Sequence, residues 1–319
     1  MSRATARACA NLAFVKYWGK RDASLNLPMN NSISMTLDAA HSTTRVEFET
    51  GPGSDEIWLS EKPAPAAFAR RVCSQLDRIR ALAGSSAAAR VNTHNNFPAG
   101  TGFASSASGF AALTCAATSA LGLQLTRRQL SVLARQGSGS ACRSICAGFA
   151  EWHAGRDSDS SFAVQLADAR HWNLVDLAVL VTDEEKSVRS SEGHQLATNS
   201  PFWQTRTQTI SSRLAEIRLA LLKRDFHRFG RQVEAEALEM HAIMQTSAHE
   251  KGGSWMSGIF YMAPDTLRLI NAVQRWRQGG MDVYFTLDAG PTVHLLCLED
   301  QVEDVLQAVN SLKGSQGWR

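Results

Sequence analysis

The chain has 319 residues, 44% of them hydrophobic and 20% charged, with a net charge of +3 and a pI near 8.6. That length buries a sizeable core, in one large domain or two fused ones, and the composition is that of a globular protein rather than a disordered or fibrous one. The charge is too mild to mark a nucleic-acid binder, but it suits an anionic small substrate if the positive charge gathers in one cleft.

The first acid, Asp22, follows Arg3, Arg7, Lys16, Lys20 and Arg21. A transit peptide has such a bias, but these residues also form a chemical motif. Next, Ile33, Met35 and Leu37 alternate, then Val46 and Phe48, then Ile57 and Leu59, which reads as half-buried antiparallel strands. Phe68, Val72, Leu76, Ile79 and Ala83 fall at helical spacing, and residues 89–94 read as a strand. Residues 97–126 carry no charge, but Pro98, four glycines and many hydroxyls make this a loop before a buried helix rather than a membrane span. Phe110, Leu113, Thr114, Ala117 and Leu121 give that helix its inner stripe. Thr126 and Gln129 form a capping box for the next helix, and a third helical pattern runs through Cys142, Ile145 and Phe149.

The second half reads as strands at 161–166 and 174–181, then a helix opened by Ser200-Pro201 with a stripe at Trp203, Ile210, Leu214, Ile217 and Leu221. A partner helix carries Phe226, Phe229, Val233, Ala237, Met240 and Met244. Pro264 opens another. Two strands flank an Asp-Ala-Gly-Pro turn, and an amphipathic helix with Val302, Val305, Leu306 and Val309 ends the chain. Residues 249–257 and the tail after Leu312 read as weakly ordered. No βαβ repeat is visible, so the fold class is α+β, divided into domains at 1–180 and 181–319. The six cysteines, Cys9, Cys73, Cys115, Cys142, Cys146 and Cys297, include no CxxC pair, which reads as reduced thiols in a cytoplasmic protein. Lone histidines, His153, His171 and His241, read as cap or core residues.

Four segments carry chemistry. Residues 96–109, Asn-Phe-Pro-Ala-Gly-Thr-Gly-Phe-Ala-Ser-Ser-Ala-Ser-Gly, place small residues and hydroxyls where a strand gives way to a helix. Backbone can approach a ligand closely there, and the helix start offers unpaired N–H groups, a combination that favours phosphate. Residues 11–21 set Lys16, Lys20 and Arg21 among apolar and aromatic neighbours, where amines need anionic partners. Residues 137–144, Gly-Ser-Gly-Ser-Ala-Cys-Arg-Ser, combine hydroxyls with Arg143, whose fork suits a carboxylate or phosphate. Asp288, at a strand end before Ala-Gly-Pro, reads either as a base or metal ligand or as a turn residue bonded to its own backbone.

Together these segments resemble the GHMP kinase superfamily and, within it, the mevalonate diphosphate decarboxylases. The matching stretches are Asn-x-Ala-x-x-Lys-Tyr-Trp-Gly-Lys-Arg at 11–21, Asn-Asn-Phe-Pro-x-x-x-Gly-x-Ala-Ser-Ser-Ala at 95–107, Gly-Ser-Gly-Ser-Ala-Cys-Arg-Ser at 137–144 and Asp-Ala-Gly-Pro at 288–291. The resemblance implies a GHMP fold, with an N-terminal ribosomal-protein-like mixed sheet and helices fused to a C-terminal antiparallel sheet and helix layer. It implies a cytoplasmic homodimer that uses ATP and Mg2+ to decarboxylate mevalonate 5-diphosphate, with no nucleic-acid or membrane partner.

The resemblance assigns Asp288 to orient the C3 hydroxyl or take its proton, Lys16 to keep Asp288 ionised, and Arg143 to hold the carboxylate. It assigns Asn11, Tyr17, Lys20, Ser138, Gly139 and Ser140 to the phosphorylated substrate. Pro98, Gly100, Thr101, Gly102, Ala104, Ser105, Ser106 and Ser108 go to ATP, with Ser105 near the metal. Departures from the pattern lie at Thr292, where Asn is usual, at the Gly100-Thr-Gly-Phe spelling, at residues 245–258, and at the shifted register of Arg189. They leave open a 5-monophosphate or a bisphosphate substrate but leave the Lys16 and Asp288 pair intact; the Gly/Ser loop by itself does not distinguish a kinase of the same superfamily that acts without decarboxylation. A third alternative is a non-catalytic nucleotide- or RNA-binding protein that uses a basic helix face of Arg70, Arg71, Arg78 and Arg80.

Overall fold

In the computed structural model, residues 2–49, 53–97, 105–182 and 188–316 are described. The first half runs β1 Ser2–Ala13, β2 Lys20–Asp22, β3 Leu27–Pro28, β4 Ser32–Phe48, β5 Glu56–Leu59, β6 Lys62–Pro63, α1 Ala66–Ala83, β7 Ala89–Asn95, α2 Ser105–Ala120 and α3 Arg127–Gly137. A 3-10 turn, Gly139–Ile145, then leads into β8 Phe149–Trp152 and β9 Ala163–Ala167. The remainder is β10 Leu174–Val179, α4 Ser190–Leu196, α5 Trp203–Lys223, α6 Phe226–Thr246, β11 His249–Lys251, β12 Ser254–Met256, α7 Pro264–Gln278, β13 Tyr284–Leu287, β14 Val293–Leu298 and α8 Val302–Gln316.

The long strand β4 organises the first half. It is one continuous strand where the sequence pattern reads two. Antiparallel β1 runs along one edge of it, while β7 and β8 share the other edge end to end. Sequence reading passes over β1 because its inward positions are Ala4, Ala6, Ala8 and Ala10, weak strand formers. Their small size lets the alanine-rich α2 approach closely. Strand β5 is not antiparallel to its central neighbour but runs parallel to β7, with α1 in the crossover; only its pairing with β6 is antiparallel. The resulting sheet is mixed, and α1, α2 and α3 cover one face around buried Phe48, Leu76, Val91 and Phe110.

Three other expectations are corrected. The helical pattern through Cys142 and Phe149 is a 3-10 turn that stops at Cys146; Gly148, at φ +70°, then turns the chain so that Phe149 pairs with Met35 in the sheet. Residues 249–256 are a hairpin, because Gly252 (φ +60°) and Gly253 (φ +78°) supply the two positive-φ positions of its two-residue turn. The tail past Leu312 continues α8 to Gln316.

The strand expected at 161–166 is β9 and belongs to the first sheet. β10 pairs with β14 in a second, antiparallel sheet of order β10-β14-β13. The change of sheet therefore falls between Ala167 and Leu174, and a division at residue 180 leaves one strand of the second sheet with the first half.

Alternation along β13 and β14 gives the second sheet two buried faces. Phe285, Leu287, Val293 and Leu295 pack against α7 and α8, while Tyr284 and Leu296 pack with α5, α6 and residues Leu12, Phe14 and Ile33 of the first half. That shared core sets the end of β1 against the end of β13. All six cysteines are free. The arginines of α1 do not form one basic face: Arg80 pairs with Asp55 and Asp77, and Arg71 lies over Phe110.

Candidate active site

β1 ends at Ala13 and β13 ends at Leu287, and the next residues of each meet. Lys16 Nζ donates to Asp288 Oδ1 at 2.9 Å and to the Ala13 carbonyl at 2.6 Å. The lysine side chain is 2% exposed and the aspartate 23%, so the carboxylate forms the open side of the pair. The lysine backbone is fixed as well. Its N–H donates to Glu236 Oε1 at 3.0 Å, and Glu236 is locked to Arg206 at 2.7 Å inside the core. Removing either member of that buried pair would strand the other's charge, so α5 and α6 hold Lys16 rigidly.

Burial acts to raise the Asp288 pKa, but Lys16, then His294 and Arg143, outweigh it and hold the carboxyl below its ordinary value. His294 stands opposite Thr286 in the sheet, and its Nδ1 donates to Asp176 at 2.9 Å. Burial acts to lower the His294 pKa; Asp176 prevails and keeps it raised. His241 Nε2 donates to the Asp288 carbonyl at 3.1 Å, and burial pushes its pKa down to about 4, so it is neutral. His171 bonds the Leu221 carbonyl and His153 stacks on Phe162.

Arg143 comes from the 3-10 turn and is 3% exposed. Its Nε donates to Asn11 Oδ1 at 3.0 Å and its Nη1 to Ser32 Oγ at 2.6 Å. Nη2 bonds no described residue, which leaves one arm of the fork for a ligand. Asn11, expected to orient substrate, uses both ends of its amide on the protein. Besides accepting from Arg143, its Nδ2 donates to the Ser140 carbonyl at 3.2 Å and to Ser144 Oγ at 2.8 Å. Its place is therefore behind the arginine.

Tyr17 lies over Gly139, where a Cβ would come within 2.6 Å of the ring, so only glycine fits. The Tyr17 hydroxyl and the Trp18 indole N–H are enclosed and have no hydrogen-bond partner among the described residues. Lys20 Nζ donates to Asn26 Oδ1 at 2.7 Å; burial first, then Arg71, lowers its pKa. Ser138 Oγ donates to Ser106 Oγ at 3.2 Å, which joins this segment to the first turn of α2.

Ser105 and Ser106 are half-buried at the start of α2. Ser108, expected to face nucleotide, is fully buried instead and bonds Ser42 of β4 at 2.7 Å. Ser108 lies two positions beyond Ser106, about 200° round the helix, so it turns away from Ser106 and towards the sheet. Pro98, Gly100, Thr101, Gly102 and Ala104 lie outside the described residues. Arg189 is exposed just before α4. Among the described residues no three His, Cys, Asp or Glu side chains cluster as metal ligands.

The structure thus brings together Asn11, Lys16, Tyr17, Lys20, Ser138, Gly139, Ser140, Arg143 and Asp288. Two family models match the chain: the diphosphomevalonate decarboxylase-like N-terminal domain over residues 8–163 and the mevalonate 5-diphosphate decarboxylase C-terminal domain over residues 177–317. The chain belongs to the diphosphomevalonate decarboxylase family. It is 36% identical to the diphosphomevalonate decarboxylase of Aspergillus fumigatus, over 98% of this chain and 81% of the relative. Identity to the Saccharomyces cerevisiae enzyme is 34%, over 99% and 83%. The crystal structure of mevalonate diphosphate decarboxylase from Staphylococcus aureus superposes with a TM-score of 0.91 at 35% identity, covering 97% of this chain and 92% of that one. MDDEF, solved in complex with MVAPP, AMPPCP and magnesium, gives 0.90 at 36% identity, covering 97% and 93%.

Within this family frame, sequence reasoning missed His294 with Asp176, Glu236 with Arg206, and His194. A polar residue in the otherwise apolar stretch Val293–Leu298 was the available signal for His294.

Proposed function

We propose that the protein catalyses ATP-dependent decarboxylation of mevalonate 5-diphosphate to isopentenyl diphosphate, releasing ADP, phosphate and CO2. The observation that carries this reading is the Lys16–Asp288 pair, buried on the amine side and open on the carboxylate side, with the unused arm of Arg143 electrostatically coupled to it. A tertiary alcohol is a poor nucleophile and needs an acceptor aimed at its proton; Asp288 is that acceptor, and Lys16 keeps it ionised. The C3 oxygen takes the γ-phosphoryl group of ATP. The C3–O bond then breaks with the phosphate as leaving group, while the C1–C2 electron pair forms the C2=C3 double bond and CO2 departs. Arg143 Nη2 holds the carboxylate, and the buried Lys16 amine offsets charge building on the transferred phosphoryl group.

Magnesium, when bound, would supply further charge neutralisation at the nucleotide phosphates, and the Ser105 hydroxyl would help to hold it. Ser106 and Ser138 join the ATP-binding and substrate-binding segments. Tyr17, Lys20 and Ser140 face the 5-phosphoryl end. Homodimerisation rests on the family resemblance alone. Cytoplasmic location is supported by six free thiols. Among the described residues, no helix is long and apolar enough to cross a membrane.

The test is a steady-state assay of the purified protein with ATP, Mg2+ and mevalonate carrying zero, one or two 5-phosphates. CO2 released in step with ADP, fastest with the diphosphate, is the expected result. Preference for the monophosphate would move the substrate assignment, and ADP without CO2 would make the protein a kinase.

A further inference from the structure

His194 lies in α4, with its ring tilted against Tyr17 (centroids 4.3 Å apart, 39° between planes) and against Trp18 (4.6 Å, 32°). Gly193 permits this contact, since a Cβ there would lie 2.6 Å from the Trp18 ring. The Gly19 N–H donates to His194 Nδ1 at 3.1 Å. A ring nitrogen that accepts carries no proton, so in the neutral ring the proton sits on Nε2. Burial first, then the nearby Lys20 charge, pushes the His194 pKa down to about 3, so the neutral form persists through the physiological range. Nε2–H is therefore a fixed donor. It bonds no described residue, and the ring is only half-buried.

The surroundings ask for an anion. Among the described residues, the enclosed Tyr17 hydroxyl has no partner and Lys20 has no carboxylate within ion-pair distance, only the neutral Asn26 amide. Unpaired donors and an uncompensated ammonium in a half-buried place are stabilised by a ligand that brings acceptors and negative charge. We infer that His194 is a substrate-binding residue that determines specificity, its Nε2–H donating to a phosphoryl oxygen of the phosphorylated hydroxy acid alongside Tyr17 and Lys20. This rests on the decarboxylase reading and adds to it a directional donor that carries no charge.

The test compares His194→Phe, which keeps a flat ring between Tyr17 and Trp18 but has no donor, with His194→Gln, which retains one. Wild-type turnover of mevalonate 5-diphosphate is measured first; its failure would remove the functional reading and leave this residue unassigned a substrate. With that turnover in hand, His194→Phe is expected to raise KM for mevalonate 5-diphosphate about tenfold, the scale of a hydrogen bond to a charged group. KM for ATP and kcat should stay within about twofold, because uniform binding is what is lost. His194→Gln should recover part of the change. In 15N spectra of the imidazole, wild-type His194 should show the Nε2–H tautomer at neutral pH, with a signal that moves when mevalonate 5-diphosphate is added. An unchanged substrate KM in both variants, an equal rise in KM for ATP, or an imidazole signal indifferent to the substrate would overturn the inference.

Discussion

Lys16 and Tyr17 are neighbours in sequence and occupy opposite situations. Lys16 is satisfied within the chain: its amine has Asp288 and a carbonyl, and its backbone has Glu236. The donors on the other side of the cleft are not satisfied. Among the described residues the Tyr17 hydroxyl and the Trp18 indole N–H have no partner, and Nη2 of Arg143 has none. The first region is complete before any ligand arrives, so its charges need no rearrangement when the reaction begins. The second is held incomplete at a cost in stability, and under the proposed function phosphoryl and carboxylate oxygens would complete it. Chemistry and recognition are thus divided between two adjoining surfaces, and mutations should separate them.

The sharpest separation comes from Asp288→Asn. The pair loses its negative member and the C3 hydroxyl loses the group that takes its proton, so kcat should fall by about a thousandfold, within the range for a general base. Nucleotide affinity should hold within about twofold, since the described nucleotide side chains, Ser105 and Ser106, lie on another element. Fluorescence titration with an ATP analogue beside a turnover assay checks both halves. Arg143→Lys comes next. A lysine cannot reach Asn11 and Ser32 and still offer a planar arm, so kcat/KM for the phosphorylated acid should drop about a hundredfold. An Arg143→Lys enzyme of near-normal kcat/KM would place the carboxylate elsewhere.

The two regions were not equally legible in the sequence. Lys16, Arg143 and Asp288 could be read because each sits in a short contiguous motif whose residue types have few other uses. What holds them could not. Glu236 lies 220 residues from Lys16, and Asp176 118 from His294, so both bonds exist only after the two sheets pack. Ser108 shows the reverse effect: it belongs to the motif, yet the helix turns it to Ser42. The fold follows the same division. Stripes of large apolar residues located α5 and α6, while the alanines of β1 and the tight turn before Phe149 gave no strand signal, because close packing and backbone conformation decide there.

A smaller effect tests whether the floor of the cleft is as self-contained as its geometry implies. Asp176 raises the His294 pKa against burial, and the positive form of His294 acts with Lys16 in depressing the Asp288 pKa. A carboxylate with a depressed pKa is ionised above that pKa and is lost as pH falls through it. His294→Gln keeps a donor for Asp176 but removes the cation, so the Asp288 pKa should rise and the acid limb of the kcat profile should move to higher pH. Activity on the alkaline side of that limb should change by less than about tenfold, because Lys16 remains. A limb that stays in place would show that Lys16 alone sets the ionisation of Asp288.

Tyr17→Phe should give the smallest effect and the most direct contrast with Lys16. The hydroxyl is enclosed and has no partner among the described residues, so its removal relieves a desolvation cost rather than breaking a bond. The ring is kept, and with it the edge contact to Trp152 at 4.7 Å and the packing over Gly139. Thermal unfolding of the ligand-free variant should therefore occur at or slightly above the wild-type midpoint. KM for the phosphorylated acid should rise about fivefold, the scale of an ordinary hydrogen bond offset in part by the relieved desolvation. Stability and affinity would then move in opposite directions on loss of one oxygen atom. That pairing is specific to a donor kept for ligand: a structural hydroxyl would lower the midpoint, and an idle one would leave KM unchanged.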